Sequence, residues 1–220
     1  MLPLSLTRPN GRALRVLCLG AHSDDIEIGC GGTVLRLVAG GASVHWAVFS
    51  GDDKRATEAS KSARLFLGRN GGDQLSTHTF KDGFFPASFG DVKEACESLA
   101  ARVQPDVVLT HTRDDRHQDH RVLSDLAWNT FRRQVVLEYE VPKWDGDLGQ
   151  PNCYVSLSAA MARRKVRALM QIFSSQRSKD WFDDETFLGL MRLRGVECRA
   201  RSGYAEAFTS RKFTVDFGAQ

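Results

Sequence analysis

Ala13-Leu14-Arg15-Val16-Leu17-Cys18-Leu19-Gly20-Ala21-His22-Ser23-Asp24-Asp25, followed by Gly29-Cys30-Gly31-Gly32-Thr33, decides the architecture of this 220-residue chain. Ala13 to Leu19 is a short apolar run ending at Gly20, the pattern of a strand buried on both faces in a parallel sheet. The glycine run opens a helix through Val34, Leu35, Leu37 and Val38, and Gly40-Gly41 stops it. An imidazole and two consecutive carboxylates therefore stand at the mouth of a strand-to-helix turn.

The alternation continues outward from there. Ser43 to Phe49 reads as a second strand, Arg55 to Leu67 as a helix capped by Gly68, and Gln74 to Phe80 as a weaker third strand. Ser88 to Val103 is helical, with Pro105 just past its end. Asp106 to Thr110 is a fourth, almost wholly apolar strand, followed by a helix from Gln118 to Arg133 and a fifth strand from Gln134 to Tyr139. Val141 to Asn152 is turn chemistry throughout and reads as a loop. Tyr154 to Leu157 reads as a strand, Ser158 as the cap of a helix reaching Phe173, Glu185 to Leu193 as a helix, and Phe213 to Val215 as a last strand. Strands alternating with helices predict one domain over residues 1–220, of the α/β class: a single doubly wound, mostly parallel, Rossmann-like sheet flanked by helices.

In the common order of such sheets the first and fourth strands lie side by side where the winding reverses, and ligands bind outside their carboxyl ends. The fourth strand is followed by Asp115-Arg116-His117-Gln118-Asp119-His120. Position in the chain alone thus predicts that this cluster meets His22-Ser23-Asp24-Asp25. His22 and Asp25 are three apart in a turn, and His117 and His120 are three apart at a helix start, a spacing that shares a face. Two imidazoles and one carboxylate form a catalytic zinc set with positions left open. Iron(II) favours the same ligands, and another divalent ion is allowed, but zinc suits hydrolysis because it lowers the pKa of a water without redox chemistry. His45 and His78 have no such company and read as packed or surface residues, and His111 as structural beside the site.

Composition narrows the partners. The chain carries 30 Lys+Arg against 27 Asp+Glu, a formal charge of +3, with the positive residues scattered. The cluster Arg163-Arg164-Lys165-Arg167 reads as a solvated helix face, so no nucleic-acid partner is expected. The 5 cysteines are far apart and contain no C-x-x-C, which argues against a disulfide framework or a thiolate zinc site and for a reducing compartment. Met1 to Leu6 lacks a charged n-region and a continuous apolar stretch, so no signal peptide is expected. No run approaches the roughly 18 unbroken apolar residues of a membrane helix. The expectation is a cytoplasmic protein with no integral membrane segment.

Ala21-His22-Ser23-Asp24-Asp25-Ile26-Glu27-Ile28-Gly29-Cys30-Gly31-Gly32-Thr33 resembles the A-H-P-D-D-x-E-x-G-x-G-G signature of the PIG-L/LmbE-like zinc-dependent de-N-acetylases. His117-Gln118-Asp119-His120 resembles that family's H-P-D-H. Arg55 to Glu58 with Leu67-Gly68 is similar to its R-x-x-E…L-G helix. Lys165, Ala168-Leu169, Ser175-Gln176 and Ala205 to Phe208 are similar to its C-terminal pattern. Ser23 and Gln118 stand where the family has proline, and neither change removes a ligand or the base.

The resemblance implies His22, Asp25 and His120 as metal ligands and Asp24 as general base toward a water activated by zinc. It further implies removal of acetyl from an N-acetylglucosamine-like moiety of a glycoconjugate. His117 would donate to the oxyanion, and Asp119 would orient His117 and keep it protonated. Either Asp24 or His117 would protonate the leaving amine. Arg55 would reach a sugar hydroxyl or an anionic group, and Glu58 would brace the site. Trp144, on the loop after the fifth strand, would stack on a sugar ring, although a surface or subunit-contact loop fits its composition equally. Homo-oligomeric assembly is implied by the resemblance alone. The glycine run is not G-x-G-x-x-G, and close helix–strand packing explains it better than a phosphate cradle. Two rival readings stand: a metal phosphoesterase, which usually needs more carboxylates around two ions, and a non-catalytic sugar- or nucleotide-binding domain. The leading reading requires His120 to share one ion with His22 and Asp25.

Overall fold

In the computed structural model, residues 3–7, 11–68 and 71–215 are described. Seven strands are β1 (Arg15–Gly20), β2 (Ser43–Ser50), β3 (Leu75–Phe80), β4 (Val107–His111), β5 (Val135–Tyr139), β6 (Cys153–Leu157) and β7 (Tyr204–Ser210). Six α-helices are α1 (Asp25–Ala39), α2 (Asp53–Leu67), α3 (Phe89–Val103), α4 (Gln118–Thr130), α5 (Ala159–Ile172) and α6 (Asp184–Glu197). The strands form one sheet in the order β3-β2-β1-β4-β5-β7-β6. β3 through β5 run parallel, and β7 pairs antiparallel with both β5 and β6. β1 and β4 are neighbours, as the doubly wound order requires, with Leu17 opposite Val108.

Apolar side chains on the two sheet faces build two cores. Trp46, Phe66, Tyr139 and Phe173 fill one, under α1, α2, α5 and α6. Leu19, Phe49, Leu99 and Phe131 fill the other, under α3 and α4. α4 ends at Thr130, short of Arg133, where buried Phe131 turns into this second core. No helix of the described residues is long and apolar enough to cross a membrane.

α1 begins at Asp25 rather than at the glycine run, and it breaks at Cys30 (φ −143°, ψ 16°). The glycines let it lie close to the sheet: a Cβ on Gly29 would stand 2.0 Å from Tyr139 Cδ2, and one on Gly32 2.4 Å from Leu157 Cδ1. In an unbroken helix the Gly32 N–H would bond the Ile28 carbonyl. Here Glu206 accepts from Gly32 N (2.8 Å) and Thr33 N (2.6 Å), while Lys165 Nζ donates to Ile28 O (2.6 Å) and to Glu206 Oε1 (2.6 Å). Lys165 is therefore buried, and only Arg163, Arg164 and Arg167 of the basic cluster face outward.

The last expected strand is corrected: Phe213 to Val215 has no regular structure, and the final strand is Tyr204–Ser210. Residues on both of its faces are buried, Glu206 included, with only Tyr204 and Thr209 partly exposed, so the alternation that marks a half-exposed strand is missing.

Candidate metal centre

Asp24 caps α1 by position, yet its side chain makes no capping hydrogen bond. Asp25, one residue on, accepts from the His22 backbone N–H at 2.6 Å, which folds the turn so that His22 and Asp25 face the same space. His120 enters that space from the first turn of α4. His22 Nδ1 lies 3.2 Å from Asp25 Oδ2 and 3.1 Å from His120 Nε2, and the last two atoms are 3.4 Å apart. The structure thus brings the three expected ligands together. Zinc bonds of ~2.0–2.1 Å at tetrahedral angles put ligand atoms about 3.3 Å from one another, so the triangle fits such an ion.

The far sides of the two rings fit as well. His120 Nδ1 meets Asp115 Oδ2 at 2.8 Å, which leaves Nε2 to face the centre. His22 Nε2 meets Asp82 Oδ1 at 3.1 Å and Asp119 Oδ2 at 3.3 Å, which leaves Nδ1. Carboxylate partners of this kind orient ligating imidazoles and raise their basicity. His111 stacks on His120 with centroids 3.8 Å apart, and its Nε2 accepts from Ala21 N (3.0 Å) beside Asp25 Oδ2 (3.3 Å). The grouped His and Asp side chains are of a kind able to hold a metal ion.

The electrostatics favour a positive charge at the centre. Burial works against ionising Asp25, but the His120, His111 and His22 rings overcome it and hold its carboxyl well below the usual range. Burial likewise opposes a charged His22, and the Asp25, Asp119 and Asp82 carboxylates outweigh it, raising that imidazole well above its ordinary value. His120 is pushed down to about 3 by burial and by His111, so its ring stays neutral. Asp24 is driven the other way. Burial and the adjacent Asp25 push it up to about 6, against the opposing charges of His22 and Lys179.

One expected pairing is corrected. Asp119 does not orient His117 through its carboxylate, which accepts from Gly83 N (2.6 Å) and Phe85 N (3.0 Å) and faces His22. Its tie to His117 runs through the main chain: His117 caps α4, and its Nδ1 accepts the Asp119 N–H at 3.3 Å. A neutral His117 then carries its proton on Nε2. Nor is His117 held protonated, because burial and His22 lower its pKa despite the Asp25, Asp119 and Asp115 carboxylates.

Three residues around the centre had no assigned role in the sequence. Asp82 bridges Arg55 (Nη1 to Oδ2, 2.6 Å) and His22. Its only sequence signal is its place after β3, at the carboxyl edge of the sheet. Asp115 holds His120 and also accepts from His117 N (2.8 Å), and its place in the second polar cluster was a usable signal. Lys143 Nζ lies 3.0 Å from Asp115 Oδ1, which docks the loop after β5 on the centre. Glu58 is buried and accepts from Ser174 Oγ (3.1 Å), Ser175 N (3.0 Å) and Ser175 Oγ (2.6 Å), so it braces the loop after α5. Trp144 stands outside the cluster, 67 % exposed.

Fold and site together define an α/β protein with a His/Asp centre, able to hold an ion, at the switch point of its sheet. The chain belongs to the PIG-L family, GlcNAc-PI de-N-acetylase, which it matches over residues 17–131, a span containing both His/Asp clusters. It is similar to the uncharacterized deacetylase YaiS of Escherichia coli strain K12, at 33 % identity over 139 residues, 58 % of this chain and 74 % of that one. Among solved structures it resembles 4-carboxy-2-hydroxymuconate hydratase GalB of Pseudomonas putida KT2440, with TM-score 0.73 and 20 % identity over 93 % of this chain and 99 % of that one. It also resembles the N,N'-diacetylchitobiose deacetylase of Pyrococcus horikoshii, with TM-score 0.70 and 21 % identity over 92 % of this chain and 85 % of that one. At those identities the structural likeness is one of fold. Deacetylation is the activity that family membership gives the chain.

Proposed function

We propose that the chain is a zinc-dependent hydrolase that removes acetyl from an N-acetylated amino sugar, an N-acetylglucosamine-like unit, giving free amine and acetate. The observation that carries this reading is the convergence of His22 Nδ1, Asp25 Oδ2 and His120 Nε2 to within 3.4 Å next to Asp24, a buried carboxylate that makes no capping bond. His22, Asp25 and His120 would hold the ion. When bound, it supplies Lewis acidity and lowers the pKa of a water to about 7.

The protein's own groups do the rest. Asp24, with a pKa near neutrality, takes the proton of the attacking water and carries it to the leaving nitrogen. His117, protonated on Nε2, donates to the oxygen that gains charge as the amide carbonyl becomes tetrahedral. Arg55 and Asp82 offer a donor and an acceptor at the mouth for sugar hydroxyls. Diacetylchitobiose, the substrate named for the Pyrococcus protein, is an N-acetylated amino sugar, which supports the substrate class. All five cysteines are free, which suits a reducing compartment, and we assign the chain to the cytoplasm.

The test combines metal analysis of the purified protein with amine release from a panel of N-acetylated sugars. Asp24→Asn is expected to keep the metal and lose turnover. Full activity in that variant, or phosphate-ester hydrolysis with two ions per chain, would sink the proposal.

A further inference from the structure

One loop is docked on the metal centre through Lys143 and Asp115, and a second packs against it, each presenting a tryptophan to the other. Trp144 lies on the loop after β5, and Trp181 on the loop between α5 and α6. Their rings stand at 85° with centroids 6.0 Å apart, an edge-to-face pair that meets in a corner. Trp144 is 67 % exposed but held in place, its Nε1–H donating to Asp180 at 2.6 Å. Trp181 packs edge-on against the buried Phe182, centroids 5.7 Å apart, and Lys179 Nζ lies 5.2 Å over its ring.

Neither loop is slack. On the first, Lys143 meets Asp115 at 3.0 Å, Asp147 accepts from Arg116 N at 2.7 Å, and Gly149 is tied to Glu140 and Arg194 at 3.2 and 3.0 Å. On the second, Glu58 holds Ser174 and Ser175. The anchors are telling in themselves. Asp115, which Lys143 grips, is the carboxylate behind His120, so the residue before Trp144 is fastened to the group that orients a proposed ligand. A large aromatic fixed in solvent by a polar bond offers a flat face at low ordering cost.

We propose that Trp144 and Trp181 form a second-ring subsite: a pyranose or aromatic ring joined to the N-acetylated sugar stacks in this corner. The proposal rests on the deacetylase reading and narrows it to substrates of at least two rings. The polarised C–H face of a pyranose, or the edge of an aromatic ring, meets the electron-rich indole face. Asp180 and Lys179 stand beside the rings to meet hydroxyls or a ring substituent. The contact is remote from the reacting amide, so it acts on ground state and transition state alike and is read in KM, with kcat unchanged.

Zinc-loaded protein is assayed for amine release from N-acetylglucosamine, from its β-1,4-linked disaccharide and from its 4-nitrophenyl β-glycoside. Trp144→Ala is expected to raise KM for the two-ring substrates about three- to tenfold, leaving the monosaccharide unchanged, with Trp144→Phe recovering part. The disaccharide and aryl arms separate a sugar ring from an aromatic one. Equal KM changes on all three substrates, or none, overturn the subsite. A second readout is intrinsic tryptophan fluorescence, titrated with the two-ring compounds in Asp24→Asn: quenching is expected, and its loss in Trp144→Ala supports the corner. Absent quenching overturns the subsite, whereas quenching without amine release from any compound would overturn the deacetylase reading and leave the subsite standing.

Discussion

Lys165→Met tests the joint on which α1, and with it Asp24 and Asp25, is hung. The helix breaks at Cys30, and around the break the Ile28 carbonyl and the Gly32 and Thr33 N–H groups bond side chains from other elements. Lys165 satisfies the first and Glu206 the other two, and the pair closes on itself at 2.6 Å. Both residues are buried. Methionine fills the stem volume but leaves the Ile28 carbonyl without its donor and the Glu206 carboxylate without its cation. Removing one partner of a buried ion pair costs about 3–5 kcal/mol. Two lost charge-assisted hydrogen bonds at roughly 1.5–3 kcal/mol each give the same scale. For a chain of this size that is a fall in Tm of about 6–20 °C.

The assay is thermal and urea unfolding of the wild type, of Lys165→Met, of Glu206→Gln and of the double variant. The double variant is expected to be more stable than the sum of the two single losses by about 1–3 kcal/mol, since it buries no unpaired charge. If Lys165→Met unfolds within about 1 kcal/mol of wild type, or if the two losses simply add, the joint is not the support described.

Three further outcomes are expected. A base must be ionised to act, and Asp24 sits at about 6, so kcat/KM should be full above that pH and fall below it, with the charge of a bound ion shifting the limb lower. A rate that rose on acidification through that range would contradict its role. Asp115→Asn should weaken metal binding about 10- to 100-fold, read by competition with a chelator, because His120 loses the carboxylate that fixes its ring. Gly29→Ala places a methyl 2.0 Å from Tyr139 Cδ2 and should cost about 1–3 kcal/mol or more in thermal unfolding, an outcome that a freely tolerated alanine would rule out.

What the sequence disclosed and what it withheld differ in kind. Leu17, Val108 and their neighbours are apolar on both faces, and short apolar strands between amphipathic helices admit few topologies. That is why the β1–β4 contact, and the meeting of His22, Asp25 and His120 above it, followed from chain order. β7 was missed because Glu206 breaks an otherwise apolar run, and the reason for a carboxylate there lies on α1, far away in the chain.

Asp119 shows the limit more sharply. Its spacing from His117 suggests a pair, but which hydrogen bond a helix-start carboxylate makes depends on where the loop after β3 delivers its N–H groups. Gly83 adopts φ +82°, a conformation that favours glycine, and with Phe85 it offers two donors to that carboxylate. Neither neighbour is close to Asp119 in sequence.

Gln118 carries the argument in the other direction. Read against a proline, it counts as a loss of preorganisation at the start of α4. In the structure its Nε2 donates to the Gly83 carbonyl at 3.1 Å, tying the loop that feeds Asp119 to the helix that carries His120. The rigidity a proline would lend the main chain is supplied instead by a side-chain bond between the two segments. A substitution inside a motif can therefore preserve the geometry by a different physical route, and only the contacts of the substituted residue reveal which.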